Sequence, residues 1–213
     1  VTSQESRPTP ADPMPSARTV GGAPSGMERD LPPVLGPDAV GILEASTFMF
    51  SNAAGDVPPR SIGGLVHYDT RYLSRWQLTI NGAPPLVLSS CIVDHYSAAF
   101  FLANPELPGP AANTIGIRRQ RFVGDGLHER IELRCFGREP KSFELRLAVG
   151  NDFADLFEIK TTVRDRSDRI SRSHSADGSE LMFVYSNGAF QASTEVHAHR
   201  QPTVSTVTIW CGT

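Results

Sequence analysis

Three short stretches hold most of the side chains that could do chemistry. His197-Ala198-His199 sets two imidazoles on one face of a strand, where they could seed a zinc site if further ligands joined them. No partner cluster is evident in sequence, so the pair reads as two polar residues on a solvated strand. Asp152, Asp155 and Glu158 recur every three residues around Phe153, Leu156 and Phe157. A helical turn would put these acids on one face near its start, where they suit the helix dipole. The glycine and ligand spacing of a calcium loop is missing, so they read as a solvated acidic rim. Asp69-Thr70-Arg71-Tyr72-Leu73-Ser74-Arg75-Trp76 is the densest polar-aromatic segment. Asp69 and Arg71 share a face if the segment is a strand, and could form an ion pair or grip a polar ligand.

Motifs with a defined mechanism are missing. There is no Gly-x-Ser-x-Gly elbow, P-loop or dinucleotide fingerprint. Gly21-Gly22-Ala23-Pro24-Ser25-Gly26 is rich in glycine, but no strand precedes it and no helix pattern follows, so it is linker. No catalytic residue, cofactor or metal site is expected. The net charge of −3 gives no electrostatic footprint for nucleic acid. Arginine outnumbers lysine 18 to 2, but is spread along the chain, as a GC-rich coding bias would leave it. Cys91, Cys135 and Cys211 match no zinc or disulfide framework and read as reduced thiols of a cytoplasmic protein. The longest apolar run, Ala98 to Ala103, is far below the ~20 residues of a membrane-spanning helix, so no membrane contact is expected. Val1 to Pro15 has no apolar run of the kind a signal peptide carries.

The elements that must position these residues are strands. Residues 1–37 hold eight of the 17 prolines and are expected to form a disordered tail. From residue 38 to 213, period-two patterns dominate. Ile42 to Phe50 reads as one strand and Gly64 to Tyr68 as another. In Leu73 to Ile80, Trp76, Leu78 and Ile80 form the apolar set, with Arg75, Gln77 and Thr79 outward. Asn81-Gly82 is a strong hairpin signal, from which Leu86 to Val93 can return alongside. Thr114 to Val123 alternates Ile115 and Ile117 with polar partners, and Arg119 and Arg121 read as outward. Leu127 to Phe136 alternates Leu127, Glu129, Ile131, Leu133 and Cys135 against His128, Arg130, Glu132 and Arg134, which leaves Glu129 in the apolar set. Gly137-Arg138-Glu139-Pro140 is a turn, and Phe143, Leu145, Leu147 and Val149 form the next buried face. Later strands are expected near Phe153–Lys160, Asp168–His174, Leu181–Tyr185, Phe190–His199 and Val204–Trp210. Short strands joined by turns imply an all-β fold, a large antiparallel β-sandwich: a supersandwich-like meander of about a dozen strands.

Several segments, taken together, resemble the N-terminal domain of bacterial glycogen-debranching-like proteins, the amylo-α-1,6-glucosidase family. They are Thr47-Phe48-Met49-Phe50-Ser51-Asn52 with Gly55-Asp56, Gly64-Leu65, Asp69 to Trp76, Leu78, Asn81-Gly82 and Leu88-Ser89-Ser90. Phe100 to Pro105, Arg119 to Val123, Gly126 to Ile131 and Asp152 to Ile159 follow in order. The resemblance implies a non-catalytic β-sandwich module that packs on a separate C-terminal (α/α) barrel of the same parent protein. That barrel, the glycoside hydrolase part, lies outside these residues, so the chain alone is expected to be inactive. α-Glucan is the implied sugar. The alternative is a stand-alone carbohydrate-binding module, with Trp76, Tyr72 or Tyr96 as sugar platforms. An exposed aromatic row would favour the binding module, and a broad apolar patch the accessory module.

Asn52, Asp56, Asp69, Arg71 and Arg75 are the candidate partner- or ligand-facing residues. The loops Asn52–Asp56 and Asp69–Arg71 are expected together at one end of the sandwich, because functional contacts favour loops on a rigid scaffold.

Overall fold

The computed structural model describes residues 35–136, 142–161, 163–200 and 204–212, the last of these as backbone. The expected tail and the Gly137–Pro140 turn lie outside the described residues, apart from residues 35–37 of the tail.

Alternation decides the layers. A four-stranded antiparallel sheet contains β1 (Val40–Glu44), β2 (Thr47–Ser51), β3 (Gly64–His67) and β4 (Thr70–Leu73), in chain order. A two-stranded ribbon pairs β5 (Arg75–Ile80) with β10 (Leu145–Gly150). The eight-stranded sheet joins two meanders. One contains β6 (Leu86–Asp94), β7 (Ser97–Ala103), β8 (Ile115–Val123) and β9 (Gly126–Cys135). The other contains β11 (Ile170–His174), β12 (Glu180–Asn187), β13 (Phe190–Arg200) and β14 (Val204–Gly212). The two meet where β14 pairs with β9, and β6 is left as one edge. All pairings are antiparallel, and the described fold is an all-β sandwich.

One core joins the layers. Ile42, Met49, Leu65, Leu73, Trp76, Leu78 and Ile80 from the smaller sheets cluster with Phe100, Leu102, Ile117, Leu127, Ile131 and Val196 of the large one. Trp76, Leu78 and Ile80 are buried while Arg75 is exposed, as the alternation of β5 predicts. Phe143, Leu145, Leu147 and Val149 pack partly buried against the same core. A second cluster gathers Tyr72, Phe153, Phe183, Tyr185 and Ala192.

Four expectations are corrected. Ile42 to Phe50 is a hairpin, not one strand: Ala45, in the left-handed region at φ 49°, turns β1 into β2. Asn81 and Gly82 do turn the chain, both with positive φ, and Ile80 and Ala83 exchange backbone hydrogen bonds of 2.9 and 3.0 Å. Pro84 and Pro85 then supply no N–H to a ladder, so β6 leaves to pair with β7 and β5 takes β10 instead. Leu156–Lys160 is a short helix, α1, and not a strand. Its cap was readable in the sequence: the Asp155 carboxylate accepts from the N–H groups of Phe157 and Glu158, and Glu158 reaches back to the N–H of Asp155. Lastly, Arg119 and Arg121 point inward. They share strand parity with Ile115, Ile117 and Val123, and parity overrides charge because a partner awaits them.

Candidate functional site

The partner is Glu129, inward on β9 with Leu127 and Ile131. Register sets Arg121 directly opposite Glu129, and Arg119 opposite Ile131 one position diagonally away. Arg119 Nε donates to Glu129 Oε1 and Arg121 Nε to Glu129 Oε2, both at 2.6 Å. Trp76 Nε1–H reaches Oε2 from the opposite layer at 3.1 Å.

The loop after β2 completes the network. Asn52 Oδ1 accepts from the N–H groups of Ala54 and Asp56 at 3.0 and 2.9 Å, which curls the loop and aims its carbonyls inward. Arg119 Nη1 then donates to the Ala54 carbonyl and the Asp56 carboxylate, while Arg121 Nη2 donates to the Gly55 carbonyl. Gly55 is required here. Its φ is +77°, and a Cβ would come within 3.0 Å of the Phe100 ring. Asp56 also accepts from the Leu78 N–H at 3.1 Å, tying loop to strand.

Two arginines and two carboxylates balance formally to zero, and Asp56, the most exposed of the four, is 7% exposed. Arg119 Nη2 and Arg121 Nη1 have no hydrogen-bond partner among the described residues; the two guanidinium carbons lie 6.0 and 5.1 Å from the Phe100 ring centroid, whose π face favours a cation. Burial works against the charge of Glu129, but the two guanidiniums outweigh it and hold its carboxyl below the ordinary range. For Asp56 burial prevails over Arg119, and its carboxyl is pushed up. The arrangement is a closed, charge-matched rivet between the layers. It offers no open coordination position and no free nucleophile.

The five candidate residues divide. Asn52 and Asp56 belong to this rivet. Arg71 is buried too, and its partner is not Asp69. Its guanidinium binds the Asp152 carboxylate through Nε and Nη2, and donates from Nη1 to the Ser61 and Gly63 carbonyls at 2.8 and 3.0 Å. Asp69 is exposed in the turn between β3 and β4, where its carbonyl accepts from the Leu156 N–H at 3.2 Å. Arg75 is exposed and donates to Gln77 at 2.9 Å. The two loops expected together lie at opposite ends of β2: Asn52 follows its last residue, whereas Tyr68 N–H bonds Ser46 O just before its first.

Other expectations change as well. The acids near α1 are not a solvated rim, since Asp152 holds Arg71, Asp155 caps the helix and buried Glu158 pairs with Arg166. Trp76 and Tyr72 are buried and cannot serve as sugar platforms, whereas Tyr96 is exposed. His197 lies 3.5 Å from the carboxylates of both Glu180 and Glu195. Among the described residues, no group of three or more His, Cys, Asp and Glu side chains is placed to hold a metal ion. No helix among them is long and apolar enough to cross a membrane.

The Arg119–Arg121–Glu129–Asp56 rivet was missed as a unit. Its signal was the inward parity of all three strand residues; the loop that closes it lies more than 60 residues away in sequence. The strands, turns and charged segments that build this interior are the ones on which the family resemblance rests. No match emerges among curated proteins. A family model described as the N-terminal domain of (some) glycogen debranching enzymes matches residues 42–210, and the chain belongs to that family.

Proposed function

We propose that the chain is a non-catalytic accessory module of a cytoplasmic amylo-α-1,6-glucosidase-like glycoside hydrolase, and that it packs on a separate (α/α) barrel that carries the reaction. The observation that carries this reading is the β6 edge of the large sheet, which no other described strand pairs. β6 exposes Leu86, Val87, Leu88, Ile92 and Val93, with Val93 at 68%. Lysine and proline often blunt edge strands; β6 contains neither, and although its pairing with β7 shifts register twice, Asp94 is its one charged residue. An apolar strand edge of this kind marks an interaction surface. The buried carboxylates support the non-catalytic half. Glycoside hydrolysis uses two carboxyls about 5–5.5 or 6.5–9.5 Å apart across a cleft. Glu129 and Asp56 instead share Arg119 in a sealed interior. Unpaired, exposed Cys91 and Cys135 suit a reducing compartment.

The test is association in trans with a separately expressed barrel domain from a glycogen debranching enzyme of this family, followed by sedimentation. Wild type is expected to bind, and Ile92→Lys and Val93→Lys to fold normally but bind at least about tenfold more weakly, as a desolvated apolar contact is lost. Equal binding by all three proteins removes this surface from the reading. Glucose released from a limit dextrin by the chain alone overturns the non-catalytic assignment.

A further inference from the structure

The end of the sandwich opposite the Asn52 loop carries an unexplained strain. Two aromatic residues adopt left-handed backbone, Phe153 at φ 47° and Tyr68 at φ 50°. For a bulky side chain this conformation is costly, and it persists only where something offsets it. Phe153 is offset by burial, with its ring against Tyr72 and Tyr185. Tyr68 is 68% exposed, and its ring meets the neighbouring His67 edge-on at 4.6 Å. The fold would be served better there by asparagine or glycine, which turns of this conformation prefer. A ring that is 68% exposed recovers little of this cost from the fold, which leaves it available for a contact beyond the fold.

Three turns converge at this end. Tyr68 N–H bonds Ser46 O at 2.9 Å, and Leu43 N–H bonds His95 O at 2.8 Å. These bonds hold the β1–β2, β3–β4 and β6–β7 turns together. The β6–β7 turn repeats the pattern of the β3–β4 turn: exposed Tyr96 meets His95 edge-on at 5.1 Å. His95 is held between the carboxylates of Asp94 at 2.8 Å and Glu44 at 3.2 Å. Two exposed phenols, each edge-on to an imidazole, with Asp69, Asp94 and Glu44 exposed in the same turns, complement a ligand with apolar C–H faces and many hydroxyls. An aromatic ring covers the face, its own hydroxyl reaches a neighbour, and the carboxylates accept from hydroxyl groups.

We propose that this turn cluster, centred on Tyr68 and Tyr96, is a binding site for an α-glucan chain. The choice of α-glucan rests on the accessory-module reading above. The site would hold the polymer near the separate catalytic barrel and take no part in bond cleavage.

The strain makes the test discriminating. Tyr68→Asn relieves the backbone and removes the ring, so it should raise the thermal midpoint while weakening binding. Electrophoretic retardation in gels containing glycogen, with dextran gels as the control, and titration with maltoheptaose supply the readouts. Wild type should be retarded by glycogen and not by dextran. Tyr68→Asn and Tyr96→Ala should each bind maltoheptaose about tenfold more weakly, the loss of one aromatic contact. Phe136→Ala, which removes an exposed ring elsewhere, should bind like wild type. Absence of retardation in wild type, unchanged binding by Tyr68→Asn, or a lowered midpoint for Tyr68→Asn overturns the site. Retention of barrel association without glucan binding sinks this site alone. Glucan binding without association sinks the accessory reading alone.

Discussion

The two ends of β2 treat polar residues in opposite ways. Past Ser51, the chain curls inward, and Asp56 with the carbonyls of Ala54 and Gly55 is consumed by Arg119 and Arg121. Before Thr47, the turns open outward and leave Glu44, Tyr68, Asp69 and Tyr96 in water. Composition does not separate the two ends, since both are rich in polar and turn-forming residues. The difference is what faces them. One end meets two inward arginines on β8; the other meets solvent. A polar loop of this domain is therefore structural or functional according to the strand parity of residues far away in sequence.

The comparison breaks most severely at Glu129. Glu129→Gln leaves buried Arg121 without a counter-ion and Arg119 with Asp56 alone, and is expected to cost about 3–5 kcal/mol in urea unfolding, enough to unfold a marginal domain. Its pH dependence should oppose that of Asp56→Asn. The Glu129 carboxyl is depressed in the fold, so its contribution is full above the unfolded value of about 4.3 and is lost as pH falls through the lower folded value. The deficit of Glu129→Gln should therefore shrink on acidification. The Asp56 carboxyl is raised, so its linkage contribution is present below about 3.9 and is lost as pH rises through the folded value. The deficit of Asp56→Asn should be largest in acid and shrink towards neutral pH. Parallel pH profiles for the two variants would show that burial does not outweigh Arg119 at the Asp56 carboxyl.

Next in size is Leu78→Ala, beside the rivet on β5. Leu78 is buried, and its N–H is held by Asp56. The truncation should cost about 2–5 kcal/mol, with the fold retained. A loss below 1 kcal/mol, on the order of a surface change, would mean that the core between the layers is loosely packed.

These effects also show what was legible. The alternation of β5 and β9 placed Trp76, Leu78, Ile80 and Glu129 correctly, because period-two burial is local. Arg119 and Arg121 read as outward by charge, but the parity they share with Ile117 turns them inward. The strand pairing of β6 was not legible: the Asn81-Gly82 turn forms, but Pro84-Pro85 and the approach of β10 decide the partner. The loop that closes the rivet depends on contacts between residues 54–56 and 119–121, which no local pattern announces. The strain at Tyr68 is a backbone property and leaves no trace in residue type.

The smaller contributions lie at the outward end. Asp155→Ala removes a side chain that caps α1 through two backbone N–H groups, and should cost about 1 kcal/mol. The smallest expected effect is that of Asp69→Ala, and its contrast with Arg71→Ala is the sharpest test of the two environments. The residues are two apart in sequence and could have been partners. In the fold, Arg71 binds Asp152 and two buried carbonyls, so Arg71→Ala strands an acceptor set and should cost about 1.5–3 kcal/mol or more. The exposed carboxylate of Asp69 has no hydrogen bond or ion pair among the described residues, so Asp69→Ala should stay within about 0.5 kcal/mol of wild type. Thermal unfolding of both variants at neutral pH decides the matter. Comparable losses for the two would mean that Asp69, too, is drawn into the interior, and that the outward end is not a solvent-facing surface.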